Sequence, residues 1–366
     1  MAAIVVWQMP AMSPRLRGDK LFLDSAPRVH TVESAAMSND LFQGTPPSES
    51  VQSPAIGMSA PAVAANPVSR EPFSYQDLHA GIEHFLTKEL FFIGAHPKSG
   101  TTWLQVMLNA HPEISCSGEG HFINRFAPLL ETAVKTHNQL IARKNGSIFR
   151  EFQPFPLFGQ QEFAYLMASA ISLVLMRATD YQRVRVIGEK TPDNVLHFQQ
   201  LAAIFPRAKF LHVLRDGRDC VVSTWFHNLR VNPEETQRRY KGLPDFIAFM
   251  AKSWNTYVDR GLRFQAAYPD RCLTVRYEDL VANPRDSMRR VFRFLAVDVS
   301  LGVVRRCVEA GKFETMSGGR QAGIEDRTSF LRQGTPGNWR QHLTPEDNRI
   351  FLDIAGNKMM QLGYKD

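Results

Sequence analysis

The stretch FFIGAHPKSGTTWLQVMLNAHP, residues 91–112, limits the possible folds of this chain more than any other part of it. It begins with an apolar run typical of a buried strand, and it breaks at the polar sequence from His96 to Gly100. From Thr101 onward, apolar residues would crowd one side of a helix, which we expect to end near His111 because Pro112 follows. A strand, a tight polar loop and a helix present backbone N–H groups to a phosphate at the helix N-terminus. The stretch therefore predicts a phosphate-binding loop.

The side chains of this loop suit an anion better than a magnesium–triphosphate complex. Those that could donate a hydrogen bond or a positive charge are Lys98, Ser99, Thr101 and Thr102. A nucleotide triphosphate loop has the pattern G-x-x-x-x-G-K-[ST]. Counted from Gly94, the place of that lysine holds Gly100, whereas Lys98 lies inside the loop. A P-loop nucleotide kinase is therefore the alternative hypothesis and not the first one.

A second segment has the chemistry of a phosphate site. The run AKFLHVL at residues 208–214 predicts another buried strand, and a helix follows the polar sequence that begins at Arg215. Arg215 leaves the end of the strand, and Ser223 lies eight residues further along, two turns into the helix. Both side chains can therefore reach one phosphate, with the arginine as a forked charged donor.

Together the two segments resemble the sulfotransferases that use 3′-phosphoadenosine 5′-phosphosulfate (PAPS). The sequence PKSGTTW is similar to the 5′-phosphosulfate loop of that family, and the pair Arg215 and Ser223 is similar to its 3′-phosphate motif. The resemblance covers about residues 88–364. It implies an α/β fold, a three-layer sandwich with a central parallel sheet and a P-loop-like strand–loop–helix. It also implies PAPS as co-substrate without a metal, and loop contacts from Lys98, Ser99, Gly100, Thr101, Thr102 and Trp103.

The resemblance implies a catalytic base at Glu119. This residue follows Lys98 by 21 positions, and tyrosylprotein and heparan-type sulfotransferases have a glutamate base at about that distance. A carboxylate within hydrogen-bond reach can take the proton of an acceptor hydroxyl. His121 is a rival for this role.

The tetrapeptide Glu-Lys-Thr-Pro, residues 189–192, resembles a segment of carbohydrate sulfotransferases whose lysine points into the active site. The implied role of Lys190 is to stabilise the sulfuryl oxygens, and that of Lys98 is to neutralise the leaving phosphate. Cytosolic small-molecule enzymes have Lys-Thr-His here and use the histidine as base. Pro192 stands in its place, which favours Glu119, while Glu189 and Asp193 stay open as weaker candidates.

Aromatic residues and a C-terminal motif complete the implied nucleotide site. Tyr277, in the family hallmark Tyr-Glu-Asp-Leu, would flank the adenine together with Trp103, because stacking needs only a flat face. Phe313 is either a third wall or a core residue. The segment at 330–340 resembles the last motif of the family, and its implied 3′-phosphate contacts are Arg332, Gln333 and Gly334, with glutamine where the family has lysine.

Residues 1–72 differ from the rest of the chain. They are rich in Pro, Ala, Ser and Met and have no lasting hydrophobic period, so they cannot offset the entropy lost on ordering. We expect a disordered or low-complexity segment at 1–72 and a sulfotransferase domain at 73–366.

Composition bears on location and partners. No run reaches the roughly 18 apolar residues of a membrane span, and the four cysteines fit neither a zinc pattern nor a disulfide scaffold. We therefore expect a cytoplasmic protein without a transmembrane segment. The net charge of +7 is modest and does not indicate nucleic-acid binding. The sequence leaves the oligomeric state open.

The expected function is transfer of a sulfuryl group from PAPS to a hydroxyl of a small molecule or carbohydrate. The sequence does not separate these acceptors from a peptide tyrosine, because residues 125–185, which shape the acceptor pocket in the family, carry no readable motif. A protein that binds PAPS without turnover is a further alternative.

Overall fold

The computed structural model describes residues 74–365, and their centre is a parallel sheet of five strands. The strands are β1 (Glu89–Ala95), β2 (Ile114–Gly118), β3 (Val186–Lys190), β4 (Lys209–Leu214) and β5 (Cys272–Arg276). They lie in the order β2-β3-β1-β4-β5, and each neighbouring pair is parallel. The loops that follow all five strands therefore meet at one edge of the sheet, where ligands bind in open α/β folds.

Helices cover the sheet and supply the remaining structure. The longer ones are α1 (Tyr75–Leu86), α2 (Thr101–Asn109), α3 (Ala127–Ser147), α4 (Gln160–Ala178), α6 (Gly217–Val231), α8 (Leu243–Ala267), α10 (Pro284–Leu295), α11 (Leu301–Ala310) and α13 (Pro345–Gln361). The shorter ones are α5 (Phe198–Ile204), α7 (Pro233–Arg239), α9 (Tyr277–Ala282) and α12 (Phe313–Met316). A π-helical turn spans Phe122–Phe126, and two 3₁₀ turns span Pro192–His197 and Asn338–Gln341.

The core shows why the sheet is buried on both faces. Successive side chains of a strand point to opposite faces, and in β1 Phe91 and Ile93 join one apolar cluster while Leu90 and Phe92 join another. Residues of α2, α10 and α11 complete the first cluster, and residues of α1, α4, α5 and α8 complete the second. The predicted three-layer α/β sandwich with a central parallel sheet is therefore confirmed.

The strand–loop–helix expected at residues 91–112 is confirmed as β1 and α2. Lys190 ends β3 and is buried. β2 was not predicted, because its sequence ISCSG lacks an apolar run and it lies at the edge of the sheet. The segment expected to be disordered, residues 1–72, lies outside the described residues, and the proposed domain boundary stays a prediction.

Candidate active site

A cavity of about 680 Å³ opens at the edge of the sheet where the strands end. Most residues that the sequence singled out line it, namely Lys98, Gly100, Thr101, Thr102, Trp103, Glu119, Arg215, Ser223, Tyr277, Phe313, Arg332, Gln333 and Gly334. One wall of the cavity therefore comes from β1 and α2, a second from β4 and α6, and a third from the C-terminal segment. Lys190 and Ser99 are buried next to this wall without lining it.

The loop between β1 and α2 reaches the cavity through an unusual backbone. Gly100 caps α2 with a φ of 92°, and a Cβ atom there would lie 2.6 Å from the ring of Tyr277. Only glycine fits this position without strain. The loop turns the hydroxyl of Ser99 inward, with its Oγ 3.5 Å from Sγ of Cys220. The Ser99 hydroxyl therefore faces Cys220, while Lys98, Thr101 and Thr102 line the cavity.

Lys98 is a strongly perturbed cation. Burial lowers the pKa of its ammonium, and with the nearby positive charges of Arg230 and Arg215 the pKa falls to about 8. Its Nζ lies 4.3 Å from the centre of the Phe330 ring, a cation–π contact. A bound anion would offset both the repulsion from the two arginines and the lost hydration of the Lys98 ammonium. This ammonium is therefore suited to bind an anion.

Arg215 joins the second wall to the loop. Its guanidinium donates from Nη1 to the carbonyl oxygen of Lys98 at 3.0 Å and stacks 4.1 Å from the centre of the Tyr277 ring. Tyr277 in turn contacts Trp103 edge-on, with ring centres 5.4 Å apart. Among residues 74–365, the buried Nε of Arg215 has no hydrogen-bond partner. Its N–H can therefore donate a hydrogen bond to a ligand.

Glu119, which lines the cavity, forms an ion pair with the buried Lys190. Nζ of Lys190 lies 2.6 Å from Oε1 of Glu119. His121 faces the other carboxylate oxygen, with its Nε2 3.6 Å from Oε2. Glu119 and His121 have positive φ angles of 39° and 49°, and Lys98 has one of 66°. Such strained non-glycine residues often cluster at functional sites.

Glu189 stabilises the backbone between Glu119 and His121. Its buried carboxylate accepts hydrogen bonds from the N–H of Gly120 at 2.8 Å, the hydroxyl of Thr191 at 2.6 Å and the amide of Asn194 at 2.6 Å. Burial raises the pKa of Glu189, although the hydrogen bonds from these three donors act in the opposite direction. Glu189 is therefore fully engaged by the protein, and it holds the residue directly after Glu119.

Asp193, the other weaker candidate, lines the cavity but is also engaged. It accepts hydrogen bonds from the hydroxyl of Tyr257 at 2.7 Å and the amide of Asn124 at 2.6 Å. Each of its two carboxylate oxygens thus has a donor.

The C-terminal segment closes the third wall. Gly334 has a φ of 73°, and a Cβ atom there would lie 2.2 Å from the ring of Phe313, which places these two residues in direct contact. Asp219 of α6 fixes the segment by accepting from the backbone N–H of Gly337 at 2.7 Å and of Trp339 at 3.0 Å. Arg332 donates to Glu325 at 2.5 Å, and its buried Nε has no partner within the described chain.

Several residues of the cavity wall were not singled out from the sequence, among them His227, Asn228 and Phe330. His227 lies one turn of α6 beyond Ser223, and this spacing of four residues could have revealed it. Burial lowers the pKa of His227 to about 4, and the charges of Lys98 and Arg230 act in the same direction. His227 is therefore a neutral ring in this wall.

Fold and cavity define an α/β protein whose P-loop-like strand–loop–helix opens onto a cavity with several cationic side chains. The model of the sulfotransferase family matches residues 91–300, more than half of the chain. The chain belongs to this family.

Several curated proteins are similar to the chain. The protein-tyrosine sulfotransferase of Drosophila melanogaster is 28% identical over 211 residues, which cover 57% of this chain and 38% of that protein. Protein-tyrosine sulfotransferase A of Caenorhabditis elegans is 29% identical over 214 residues, covering 58% of this chain and 50% of that protein. The chain thus spans about half the length of these relatives or less. Cytosolic sulfotransferase 16 of Arabidopsis thaliana is 24% identical over 288 residues, covering 72% of this chain and 74% of that protein.

Among solved structures, mouse sulfotransferase SULT7A1 complexed with PAP is similar with a TM-score of 0.45 and 19% identity, covering 78% of this chain and 90% of that one.

The comparisons correct the expected location. A cytoplasmic protein was expected from the sequence, and this is wrong, because most of the similar curated proteins are named protein-tyrosine sulfotransferases and not cytosolic enzymes. Within residues 74–365, no helix is long and apolar enough to cross a membrane. The same residues contain no cluster of three or more His, Cys, Asp or Glu side chains that could hold a metal ion.

Proposed function

We propose that this chain transfers a sulfuryl group from PAPS to an acceptor hydroxyl, and that the acceptor is a tyrosine phenol of a protein. The observation that carries the proposal is that the phosphate loop, Arg215 and the Glu119–Lys190 pair line or adjoin one cavity. Membership of the sulfotransferase family supports the same reaction and disfavours the nucleotide-kinase alternative.

The residues present fit a nucleotide with phosphates at both ends. Arg215 and Arg332 line the cavity, and each has a buried Nε without a hydrogen-bond partner among the described residues. A buried donor without a partner costs roughly 1–3 kcal/mol, which an anionic oxygen would recover. In the proposal, Ser223 shares the 3′-phosphate with these arginines, and Lys98 with the first N–H groups of α2 holds the 5′ end.

The chemistry needs one proton acceptor and two cations. Glu119 takes the proton of the acceptor hydroxyl as the new oxygen–sulfur bond forms. Lys98 neutralises the charge that develops on the 5′-phosphate as its bond to sulfur breaks, and Lys190 stabilises the equatorial oxygens of the sulfuryl group. The products are a sulfate ester and 3′-phosphoadenosine 5′-phosphate, with the proton on Glu119.

The choice of a phenol rests on two observations. Most of the similar curated proteins described above are named protein-tyrosine sulfotransferases. In addition, Phe330, Pro97 and Pro192 give the cavity flat apolar surface close to Lys98 and Glu119, and an aromatic ring packs well against such surface. This acceptor replaces the small molecule or carbohydrate expected from the sequence.

The test is a transfer assay with the full chain, radiolabelled PAPS and three acceptors: a tyrosine peptide, a simple phenol and an oligosaccharide. We expect label in the peptide and its loss in Lys98→Ala. Label only in the oligosaccharide would refute the tyrosine acceptor but not sulfuryl transfer. Tight PAPS binding without any transfer would indicate a silent binding protein, and magnesium-dependent ATP turnover would indicate a kinase.

A further inference from the structure

The described residues carry a concentrated apolar surface that does not belong to the cavity. Nineteen of their large apolar side chains are exposed, and eleven of these fall between residues 126 and 174. None of the eleven lines the cavity. Helix α3 within this region has no fully buried residue, and its apolar contacts with the core come from the partly buried Ala127 and Leu130.

Four phenylalanines that follow α3 form the centre of this region, and we call them the Phe surface. They are Phe149, Phe152, Phe155 and Phe158, with exposed fractions of 43%, 70%, 62% and 42%. Since an aromatic side chain has on the order of 200 Å² to bury, these exposures add up to roughly 400 Å². This area is that of the largest apolar patch on an ordinary monomer, about 300–600 Å², and such a patch is often functional. Ile148 and Leu157, which are also exposed, lie in the same segment.

The protein holds this surface in place instead of leaving it as a loose loop. Asn138 donates to the carbonyl oxygen of Phe158 at 2.7 Å and accepts from its N–H at 3.0 Å. Asn145, two turns further along α3, makes the same pair of bonds to Phe155, at 2.9 Å and 3.0 Å. The side-chain amides of Asn138 and Asn145 thus fix the segment along α3, while the four phenylalanine rings are exposed.

Cationic residues lie in the same segment of chain as the Phe surface and indicate what covers it. Arg143, Lys144 and Arg150 lie within the same stretch of chain, against the single carboxylate of Glu151. The ion pairs of this region are made by other residues, as in the pair of Lys135 and Glu131. A second copy packed on this surface about a twofold axis would bring like charges together, which is unfavourable. An anionic surface would meet both the cations and the rings.

We propose that the Phe surface docks on a membrane that contains anionic lipids. Exposed phenylalanines next to Lys and Arg are the composition that binds at a lipid interface, where the rings enter the boundary of the acyl chains and the cations meet anionic headgroups. The proposal is independent of the reaction proposed above, because the residues that carry it lie outside the cavity.

Co-sedimentation of the full chain with vesicles tests the proposal. We expect binding to vesicles of phosphatidylcholine and phosphatidylserine, and weaker binding to phosphatidylcholine alone. The double variant Phe152→Ser/Phe155→Ser should bind at least about tenfold more weakly, from the lost burial of two rings. Arg143→Gln/Lys144→Gln should lose about fivefold per charge on the anionic vesicles only.

The matched control is Tyr75→Ser/Leu301→Ser, which removes two side chains that are 80% and 77% exposed elsewhere and should bind like the wild type. All variants should keep the wild-type melting temperature, since the altered side chains are exposed. Wild-type vesicle binding by the Phe152/Phe155 variant would overturn the proposal. So would a dimer in light scattering that this variant dissociates, because the surface would then be an interface between copies.

Discussion

The ammonium of Lys190 and the carboxylate of Glu119 lie 2.6 Å apart, yet their side chains are 4% and 50% exposed. A buried ammonium is costly without a partner, so this pair keeps the Lys190 charge in place beside the cavity. The half-exposed carboxylate is free on its other side to meet a ligand. The pair therefore combines a fixed cation with an accessible base.

Glu119→Gln should lower turnover by roughly 100-fold or more, the scale of a lost general base. Glutamine keeps an oxygen for Lys190 but does not take a proton, so nucleotide affinity should stay unchanged. Initial rates and calorimetric titration with 3′-phosphoadenosine 5′-phosphate (PAP) measure the two effects. The control is His121→Asn, because asparagine tolerates the positive φ of that position. A large loss of turnover in His121→Asn, with little loss in Glu119→Gln, would assign the role of base to His121.

Nucleotide affinity should depend on pH through Lys98. Its pKa of about 8 lies below the ordinary value of 10.5, so the free site holds a charged ammonium below about pH 8 and loses it above. A bound phosphate needs the charged form, so the affinity for PAP should fall as pH rises through 8, by about tenfold per pH unit. Lys98→Arg should abolish this dependence, because arginine does not titrate there. A wild-type affinity that is flat across pH 8 would contradict the role of Lys98.

Arg215→Ala should weaken PAP binding by about 1–3 kcal/mol, the scale of a lost charged hydrogen bond. Ser223→Ala should weaken it by about 0.5–1.5 kcal/mol, the scale of a neutral one. The neighbour Thr224 also lines the cavity, but its hydroxyl already donates to the carbonyl oxygen of Cys220 at 2.7 Å. Thr224→Val is therefore the matched control and should bind PAP normally. Equal losses at Ser223 and Thr224 would remove the specific role of Ser223.

Glu189→Gln should destabilise the fold by about 1–3 kcal/mol, because its amide must face one of the donors that now meet a carboxylate. It should also lower kcat without changing PAP affinity, since Gly120 and with it Glu119 lose their support. Glu113→Gln is a control at another carboxylate network, where Glu113 binds Arg185 at 2.8 Å and the N–H of Asp298 at 2.8 Å. It should lower stability alone. A kcat that falls equally in both variants would mean that Glu189 acts only through stability.

Gly100→Ala should lower the melting temperature and PAP affinity together. Its left-handed backbone costs an L-residue about 1–2 kcal/mol, and the new Cβ would collide with Tyr277. Gly146→Ala is the control, because that glycine lies in α3 with no atom within 4 Å of a new Cβ. It should be neutral or stabilising. Unchanged stability in Gly100→Ala would mean that the loop adapts more easily than its geometry indicates.

Local patterns made part of this fold predictable. The apolar runs of β1 and β4 and the polar breaks after them predicted two strand–loop–helix segments correctly, because strands and helix starts leave local signals. The edge strand β2 alternates apolar residues with serine and ends at Gly118, and so gave no such signal.

The orientation of individual side chains was not predictable. Ser99 turns toward Cys220, which lies 121 positions away in the sequence. Lys190 meets Glu119, which lies 71 positions away. Such contacts depend on how β2, β3 and α6 pack around β1, and no local pattern encodes that packing. The wall residue His227 could have been found from its helical spacing to Ser223, whereas the Phe330 contact with Lys98 could not.

A crystal structure of the full chain soaked with PAP tests the central claim most directly. We expect the 5′-phosphate at Lys98 and the first N–H groups of α2, the adenine beside Trp103 and Tyr277, and the 3′-phosphate at Arg215 and Ser223. A nucleotide bound away from this cavity, or in it with its phosphates far from Lys98 and Arg215, would contradict the proposed sulfuryl transfer site.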